Sequence, residues 1–433
     1  MKIAIAVLFV LTYVLIIALP SKKAITTGII AVVSAVLLLC FKTIGFSDLL
    51  RSIKYDVILM LFGIMLTVGF FSESGMPNFL SEKLIGKMPN SLIAITLLAV
   101  LSGVISAFVD NVATVLMLAP IGIAVAKKIG ISPVSVIIAI AVSSNLQGAA
   151  TLVGDTTSIM LADFAGMSFS DFFFMDGKFS IFWAVEIAAL LTVPILLFIF
   201  RKDNKKMEYV PEKVVIKSYV PTVLLCLTLV TLITFSFLPL SISIAGIDIT
   251  NGVICMFYGL IALIFCSVRD KQNVFKATKR TVDLETILFL TALFIIIGCV
   301  EKVGLIEDIC SLFIKIGGGN IFLLYTVIVF ASVILSAFID NIPYVATMLP
   351  VIRSISTTLT GFNPTVLYFG LLIGATLGGN LTPFGASANV VGIGLLKKEG
   401  YTVKNSDFFK IGLPFTTVAV LAGYGFCWLV WGI

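Results

Sequence analysis

The sequence contains no histidine among its 433 residues, and only 12% of them are charged. Histidine is the side chain that most often carries protons near neutral pH, so any proton coupling must depend on carboxylates. With 59% hydrophobic residues and a mean hydropathy of +1.16, the chain has too much apolar surface for a water-soluble globular protein of this size. The composition therefore predicts an all-α polytopic membrane protein without a sizeable soluble domain.

Paired cysteines are also missing, because the seven Cys lie singly along mostly apolar segments, without a C-x-x-C pair or a metal-ligand spacing. Such cysteines favour packing over redox or zinc chemistry. The net charge of +6 reflects orientation in a membrane, so we expect no nucleic-acid partner and no cofactor except a possible bound Na⁺. No small-residue cleavage site precedes Pro20, so we expect the first apolar segment to remain as a helix.

An internal repeat organises the chain. Ser-Ala-Phe-Val-Asp-Asn at 106–111 recurs as Ser-Ala-Phe-Ile-Asp-Asn at 336–341, an offset of 230 residues, and Pro120 recurs as Pro350. We call these two six-residue segments the first tip and the second tip. Apolar runs long enough to cross about 30 Å of hydrocarbon flank both. Duplicated and inverted units are common in transporters, so the repeat predicts a transporter.

The repeat predicts five crossings and one re-entrant hairpin per half, with the hairpin turning at the tip. Residues 1–200 form the first half, with a hairpin at 91–128 and a broken helix at 134–163. A basic cytoplasmic linker at 201–218 leads to the second half at 219–433, with a hairpin at 321–358 and a broken helix at 364–396. An odd number of crossings inverts the second half relative to the first.

The distribution of basic residues supports this topology. If the linker is cytoplasmic, 21 of the 29 Lys and Arg residues fall on its side, as the positive-inside rule requires. We therefore expect a prokaryotic inner-membrane protein with both termini outside. The eight exceptions are Lys2, Lys42, Arg51, Lys54, Lys178, Lys302, Lys315 and Arg353.

Polar side chains at the tips and in the broken helices are the candidate binding residues. A carboxylate in the bilayer is costly, and it either caps the following helix or binds a cation together with freed carbonyls and amides. Gly and Pro loosen the broken helices, which suits a polar cavity or close helix packing. The ion- and substrate-binding candidates are Asp110, Asn111, Thr114, Asn145, Thr151, Gly154, Asp155, Thr156, Asp340, Asn341, Thr347, Asn380, Thr382, Ser387 and Asn389, with possible Na⁺ sites at Asp110/Asn111 and Asp340/Asn341.

The two halves differ next to the tips. Asp155 corresponds to Ala386, and Ser158 corresponds to Asn389, so the first half is more acidic. We expect some of these carboxylates to couple transport to Na⁺ or H⁺. Glu186, within the fifth span, is either a proton relay or a partner of a neighbouring polar group.

The tip motifs, together with Gly-Gly-Asn-Leu-Thr-Pro-Phe-Gly-Ala-Ser-Ala-Asn at 378–389, resemble the arsenite permease, NhaD and P-protein branch of the ion transporter superfamily over nearly the whole chain. More distantly they resemble divalent-anion/sodium symporters, in which Ser stands at the positions of Asp110 and Asp340. The resemblance implies scaffold and transport domains, elevator-type alternating access and a homodimer. It also implies a small inorganic or organic ion as substrate.

The leading hypothesis is Na⁺- or H⁺-coupled export or antiport of a small ion, and several alternatives stay open. One is an arsenite, oxyanion or organic-anion permease, and another is an anion channel. A third is an intramembrane aspartyl protease, which the pairs Tyr55-Asp56 and Gly154-Asp155 suggest. Leu152, however, replaces the first Gly of the usual Gly-x-Gly-Asp motif.

Overall fold

The computed structural model describes residues 1–206, 213–238, 240–244, 246–271 and 273–433. Residues 207–212 of the predicted linker lie outside the described residues. The described chain is almost entirely helical, with two antiparallel ribbons of two-residue strands: β1 (Phe174–Met175) with β2 (Lys178–Phe179), and β3 (Ser243–Ile244) with β4 (Ile247–Asp248). The predicted all-α fold class is confirmed.

The first half of the described chain contains ten α-helices. They are α1 (Lys2–Ala18), α2 (Lys23–Cys40), α3 (Phe46–Ser52), α4 (Tyr55–Glu73), α5 (Met76–Ile85), α6 (Ser91–Ser106), α7 (Asn111–Ile129), α8 (Pro133–Gly148), α9 (Thr156–Ala165) and α10 (Ile181–Phe200).

The second half repeats this order. Its helices are α11 (Val220–Ser236), α12 (Thr250–Arg269), α13 (Val274–Thr281), α14 (Leu284–Lys302), α15 (Leu305–Gly317), α16 (Ile321–Ser336), α17 (Asn341–Thr358), α18 (Thr365–Gly378), α19 (Ser387–Lys398) and α20 (Asn405–Trp431). The helices α6 and α16 both end at the serine that opens a tip, and α7 and α17 both begin at its asparagine. Short 3₁₀ turns occupy Pro20–Lys22, Ser170–Phe172, Arg201–Asp203 and Gly379–Leu381.

The two halves pack against each other through equivalent pairs of helices. The third long helix of each half packs on the second long helix of the other, so that α4 contacts α12 and α14 contacts α2. A Cβ on Gly69 would lie 2.7 Å from Cβ of Thr281 at the end of α13, and one on Gly298 would lie 2.0 Å from Oγ of Ser52 at the end of α3. These glycines thus let α4 approach α13 closely, and α14 approach α3.

Seven helices of the described chain are long and apolar enough to cross a membrane, or up to eight if the bent pair α15 and α16 forms one span. The helices α1, α8, α11 and α18 belong to a shorter apolar group of 10–17 residues. By length and composition α7 counts among the seven, although the sequence analysis predicts it as a hairpin arm. Exposed apolar residues along α1, α2, α11 and α12 suit contact with lipid.

Sequence periodicity did not indicate the short helices α3, α5, α13 and α15. Each is 7–13 residues long and adjoins a third long helix, with α3 and α13 before it and α5 and α15 after it. Segments of this length carry too few turns to show a clear period. They matter for the site, because α13 lies at the mouth of the cavity described below.

Candidate functional site

Both tips turn at an aspartate that caps the helix behind it. Asp110 Oδ1 accepts hydrogen bonds from the backbone amides of Val112 (3.0 Å) and Ala113 (3.2 Å) at the start of α7. Asp340 Oδ1 accepts one from the amide of Ile342 (3.4 Å) at the start of α17. Among the described residues, Oδ2 of Asp110 has no hydrogen-bond partner. Capping therefore uses one oxygen of Asp110 and leaves the other for a ligand.

Each predicted broken helix has a break, at residues 149–155 in the first half and 379–386 in the second. The two breaks contact the tips in the same way. Thr151 Oγ1 donates a hydrogen bond to the carbonyl of Ala107, and Thr382 Oγ1 donates one to the carbonyl of Ala337. Both carbonyls end the first arm of a hairpin, where helical partners are lacking. The threonines predicted as ligands thus attach the breaks to the tips.

Gly154 lies where three backbone carbonyls converge. A Cβ at this position would lie 2.6 Å from the carbonyl oxygen of Gly148 and 2.9 Å from those of Ser106 and Ala107. Its counterpart Gly385 meets the same arrangement, with oxygens of Gly379 and Ala337 at 2.7 and 2.9 Å. Only glycine fits such an approach.

The residues that precede the helices after the breaks differ. Asp155 precedes α9 and is 3% exposed, whereas Ala386 precedes α19. Three residues later the halves share one equivalent bond, because Ser158 Oγ donates to the carbonyl of Gly148 (3.3 Å) and Asn389 Nδ2 donates to that of Gly379 (2.9 Å). The carboxylate at 155 therefore has no counterpart in the second half.

Four buried asparagines form a chain between the halves. Asn111 Nδ2 donates to Asn145 Oδ1 (3.0 Å), and Asn145 Nδ2 donates to Oδ1 of both Asn380 (2.8 Å) and Asn389 (2.9 Å). Asn380 Nδ2 in turn donates to the carbonyl of Val142 (3.0 Å). Buried amides need such partners, and their mutual bonds tie both breaks to the first tip.

A second link joins the first break to the second tip. Asn341 Nδ2 donates to Asp155 Oδ2 (3.1 Å), and Thr157 Oγ1 donates to the same oxygen (2.7 Å). Thr157 also lies 3.5 Å from Thr376 Oγ1 on α18. Asn341 and Asp155, which are 186 positions apart in sequence, therefore meet through this carboxylate at the interface of the halves.

A lysine that sequence reasoning assigned only to a cytoplasmic loop completes the second tip. Lys23 Nζ lies 3.2 Å from Asp340 Oδ2, and Ser387 Oγ donates to the same oxygen at 2.9 Å. Lys23 is the first residue of α2, just after Pro20. A charged residue at the start of an apolar span is ordinary, so no sequence signal distinguished it from Lys22.

Both tips border a cavity of about 710 Å³, which we call the tip cavity. Its mouth is formed by the junction of α13 and α14, with Lys279, Arg280, Asp283 and Glu285. Lys23 also lines it. The predicted site residues that line it are Asp110, Asn111, Asp155, Thr156, Asn341 and Ser387.

The remaining predicted residues do not line the tip cavity. Thr114 Oγ1 donates to the carbonyl of Val109 (3.4 Å), and Thr347 Oγ1 lies 2.6 Å from the hydroxyl of Tyr13. Glu186 lies on α10, which packs against α6, α8 and α20, and does not line the tip cavity. The structure therefore brings together the tips and breaks, and separates Glu186 from them.

A second cavity of about 450 Å³ lies at the junction of α3 and α4, the repeat counterpart of the α13–α14 junction. Arg51, Lys54 and Arg353 line it, and no residue of either tip does. Only one of the two related cavities thus reaches the tips in this conformation.

The tip cavity offers side-chain oxygens suited to a hard monovalent cation, from the carboxylates of Asp110 and Asp155, the amides of Asn111 and Asn341 and the hydroxyls of Thr156 and Ser387. Within the described residues, no group of three or more His, Cys, Asp or Glu side chains could hold a metal ion. A cation at the first tip would therefore depend on mixed ligands around Asp110 and Asp155.

Comparisons with known proteins agree on transport. The chain is 29% identical to an uncharacterized transporter of Mycobacterium bovis, over 99% of this chain and 98% of that protein. It is 28% identical to an uncharacterized transporter of Synechocystis, over 87% and 86%. It is 25% identical to the human P protein, covering 87% of this chain but only 53% of the P protein.

Two solved structures share the fold. The Alcanivorax borkumensis YdaH transporter has a TM-score of 0.58 and 15% sequence identity, covering 89% of this chain and 88% of that one. The Neisseria gonorrhoeae MtrF structure, described as an antimetabolite efflux pump, has a TM-score of 0.57 and 15% identity, covering 91% and 84%. The profile of the CitMHS family, described as "Citrate transporter", matches residues 13–374 and 254–432. The chain therefore belongs to the CitMHS family of membrane transporters.

Proposed function

We propose that the protein is a secondary active transporter that couples movement of a small ion to Na⁺ or H⁺ bound at Asp110 and Asp155. The observation that carries the proposal is the shared carboxylate of Asp155, which lines the tip cavity and bonds Asn341 of the second tip at 3.1 Å. A cation or proton on Asp155 would change this bond directly. Ion binding in one half is thereby linked to the position of the hairpin of the other.

The direction of the tip cavity supports alternating access. The Lys and Arg count assigns Lys279 and Arg280, at the mouth of this cavity, to the cytoplasm, and Arg51 and Arg353, at the second cavity, to the outside. The conformation is then inward-facing, in an inner membrane with external termini. Movement of hairpins and broken helices against α2, α4, α12 and α14 would close one cavity and open the other, in the elevator manner, within a homodimer.

Cation or proton antiport is the leading form of this proposal, because Asp110 and Asp155 present two carboxylates to the tip cavity while Asp340 of the second tip is already paired with Lys23. Two acidic groups near one another can release a proton when a cation binds. These two carboxylates can bind and release the exchanged proton themselves, so antiport needs no histidine, and the chain has none.

A carboxylate of the citrate class is the second candidate cargo. The family description favours it, and so do Lys23, Lys279 and Arg280 along the tip cavity, because cations attract a carboxylate. In this form the first tip binds the coupling ion and the cargo lies between the tips. Membership in a transporter family argues against the protease alternative.

Flux into proteoliposomes tests the proposal. We expect cargo movement to depend on an imposed Na⁺ or pH gradient, with citrate, arsenite and Na⁺/H⁺ exchange assayed in parallel, and to lose that dependence in Asp110→Asn and Asp155→Asn. A matched control is Asp407→Asn at the start of α20, outside the tip cavity. Gradient-independent flux in the wild type, or full coupled activity in both tip variants, would overturn the proposal.

A further inference from the structure

The second tip holds a cation that belongs to the protein itself. We propose that the Lys23 ammonium is a built-in counter-ion of Asp340 that takes the place of a coupling cation, so that only the first tip requires a cation from solution in this conformation. The inference deepens the proposed function and rests on it for the claim that a cation couples transport. The presence of a tethered cation at one of the two repeated sites does not depend on the proposed function.

The contacts of Asp340 leave little room for another cation. Its Oδ2 receives the Lys23 ammonium at 3.2 Å and the Ser387 hydroxyl at 2.9 Å, while its Oδ1 lies 3.4 Å from the amide of Ile342. The side chains of Lys23 and Asp340 are 18% and 15% exposed. A partly buried ion pair with a third donor satisfies the carboxylate, and removal of one partner leaves a costly unpaired charge.

The position of Lys23 is unfavourable without Asp340. It is the first residue of α2, where the helix dipole disfavours a positive charge. The ammonium also lies 5.2 Å from the centre of the Phe289 ring on α14, which fixes the side chain against the neighbouring helix. The second tip therefore supplies the carboxylate partner of the ammonium at this position.

The first tip has no equivalent cation. In the second half the corresponding helix α12 begins with Thr250, whose hydroxyl bonds Asp248 at 2.5 Å. Among the described residues Asp110 has no cationic partner, and it keeps Oδ2 unbonded beside the tip cavity. Repeated backbones thus carry one carboxylate with a tethered cation and one without.

The other charges near Lys23 do not replace Asp340. Asp283 and Glu285 at the start of α14 also attract the ammonium, but Asp283 is occupied as the cap of α14, accepting from Glu285 N and Thr286 N at 3.1 and 3.2 Å. Asp110 and Asp155 lie at the first tip, and Lys22, Lys279 and Arg280 are the neighbouring cations along the chain or the cavity.

Thermal unfolding of the purified protein tests the inference, with NaCl replacing choline chloride and with pH varied from 8 to 5.5. Lys23→Ala leaves the Asp340 carboxylate without its counter-ion, so Na⁺ or a proton should stabilise this variant and raise its unfolding midpoint by about 2 °C or more beyond any response of the wild type. In the wild type the Lys23 ammonium already neutralises this carboxylate, so the same ions should change the midpoint less.

Two further variants separate this role from simple structural damage. Lys23→Ala combined with Asp340→Asn should lose the additional response, and Lys22→Ala, whose side chain is exposed, should behave as the wild type does. Lys23→Gln serves if Lys23→Ala fails to fold. Equal responses of wild type, Lys23→Ala and Lys23→Gln to both Na⁺ and pH would overturn the inference. This result is independent of whether Asp110→Asn abolishes coupled flux.

Discussion

The two tips share one backbone design and differ in charge. Each has an aspartate cap, a threonine that bonds the carbonyl at the end of the first hairpin arm, and a glycine packed against carbonyls. In the first half Asp155 and Asp110 line the tip cavity, while the second half has Ala386 in place of Asp155 and the ammonium of Lys23 at its tip. The difference teaches that the repeated halves keep the same geometry and differ in charge, which under the proposed function gives them different tasks.

The largest effect should follow from removing the charge that only the first half has. Asp155→Asn keeps an oxygen that can accept from Thr157, so the protein should fold, but a neutral amide binds a cation weakly. We expect coupled flux to fall about 100-fold, near the upper range of coupling between sites. Proteoliposome flux measures this, with Asp407→Asn as the control, and wild-type flux in Asp155→Asn would remove the chemical distinction between the tips.

Breaking the asparagine chain tests whether the halves depend on each other. Asn145→Ala leaves buried polar atoms of Asn111, Asn380 and Asn389 without their partner, and should lower stability by about 2 kcal/mol. Thermal unfolding in detergent measures it. The half-buried Asn90→Ala, which removes an exposed cap bond from Ile93 N, should cost less. An equal loss in both variants would contradict a central role for Asn145.

The convergence of carbonyls on Gly154 gives a third, smaller effect. Gly154→Ala places a methyl group against three oxygens and should cost ~1–3 kcal/mol through overpacking. Gly394→Ala on α19 is the matched control, because a Cβ there meets nothing within 4 Å. Their unfolding midpoints, compared under one buffer condition, provide the measurement. A midpoint for Gly154→Ala no lower than that of Gly394→Ala would mean that the break relaxes freely.

The threonines that hold the breaks should give the smallest and most symmetric effect. Thr151→Val and Thr382→Val each remove one buried hydrogen bond to a carbonyl at a tip, at about 1 kcal/mol apiece, and Thr382→Val also removes the weaker bond that its Oγ1 accepts from Phe384 N at 3.3 Å. Similar shifts in the thermal midpoints would show that the shared framework is energetically symmetric. A large shift in only one of them would place the asymmetry in the framework as well as in the charges.

Much of the helical architecture was predictable from sequence, because the repeated residues are those that the backbone geometry of the tips requires. The tips, with Asp as cap and Asn as first helical residue, fixed the ends of α6, α7, α16 and α17 closely. The re-entrant hairpins, the broken helices and the inversion across a membrane stay predictions. Short helices such as α13 were missed, because one or two turns carry no clear period.

The site was predictable in membership but not in its partners. Sequence reasoning placed Asp110, Asp155 and Asn341 in it, yet could not show that Asp155 bonds the tip of the other half. Lys23 was missed because its contact with Asp340 spans 317 residues of sequence. Long-range pairing of this kind depends on the packing of α2 against α14, which composition and periodicity do not specify.

Counting the cations bound per chain tests the central claim most directly. Equilibrium binding of radioactive Na⁺ to the purified protein at pH 8, combined with measurement of protons taken up or released, gives that count. The account predicts one exchangeable cation or proton in the wild type, none in Asp110→Asn combined with Asp155→Asn, and one still in Lys23→Gln combined with Asp340→Asn. Two exchangeable cations in the wild type, or unchanged binding after both first-tip carboxylates are removed, would contradict it.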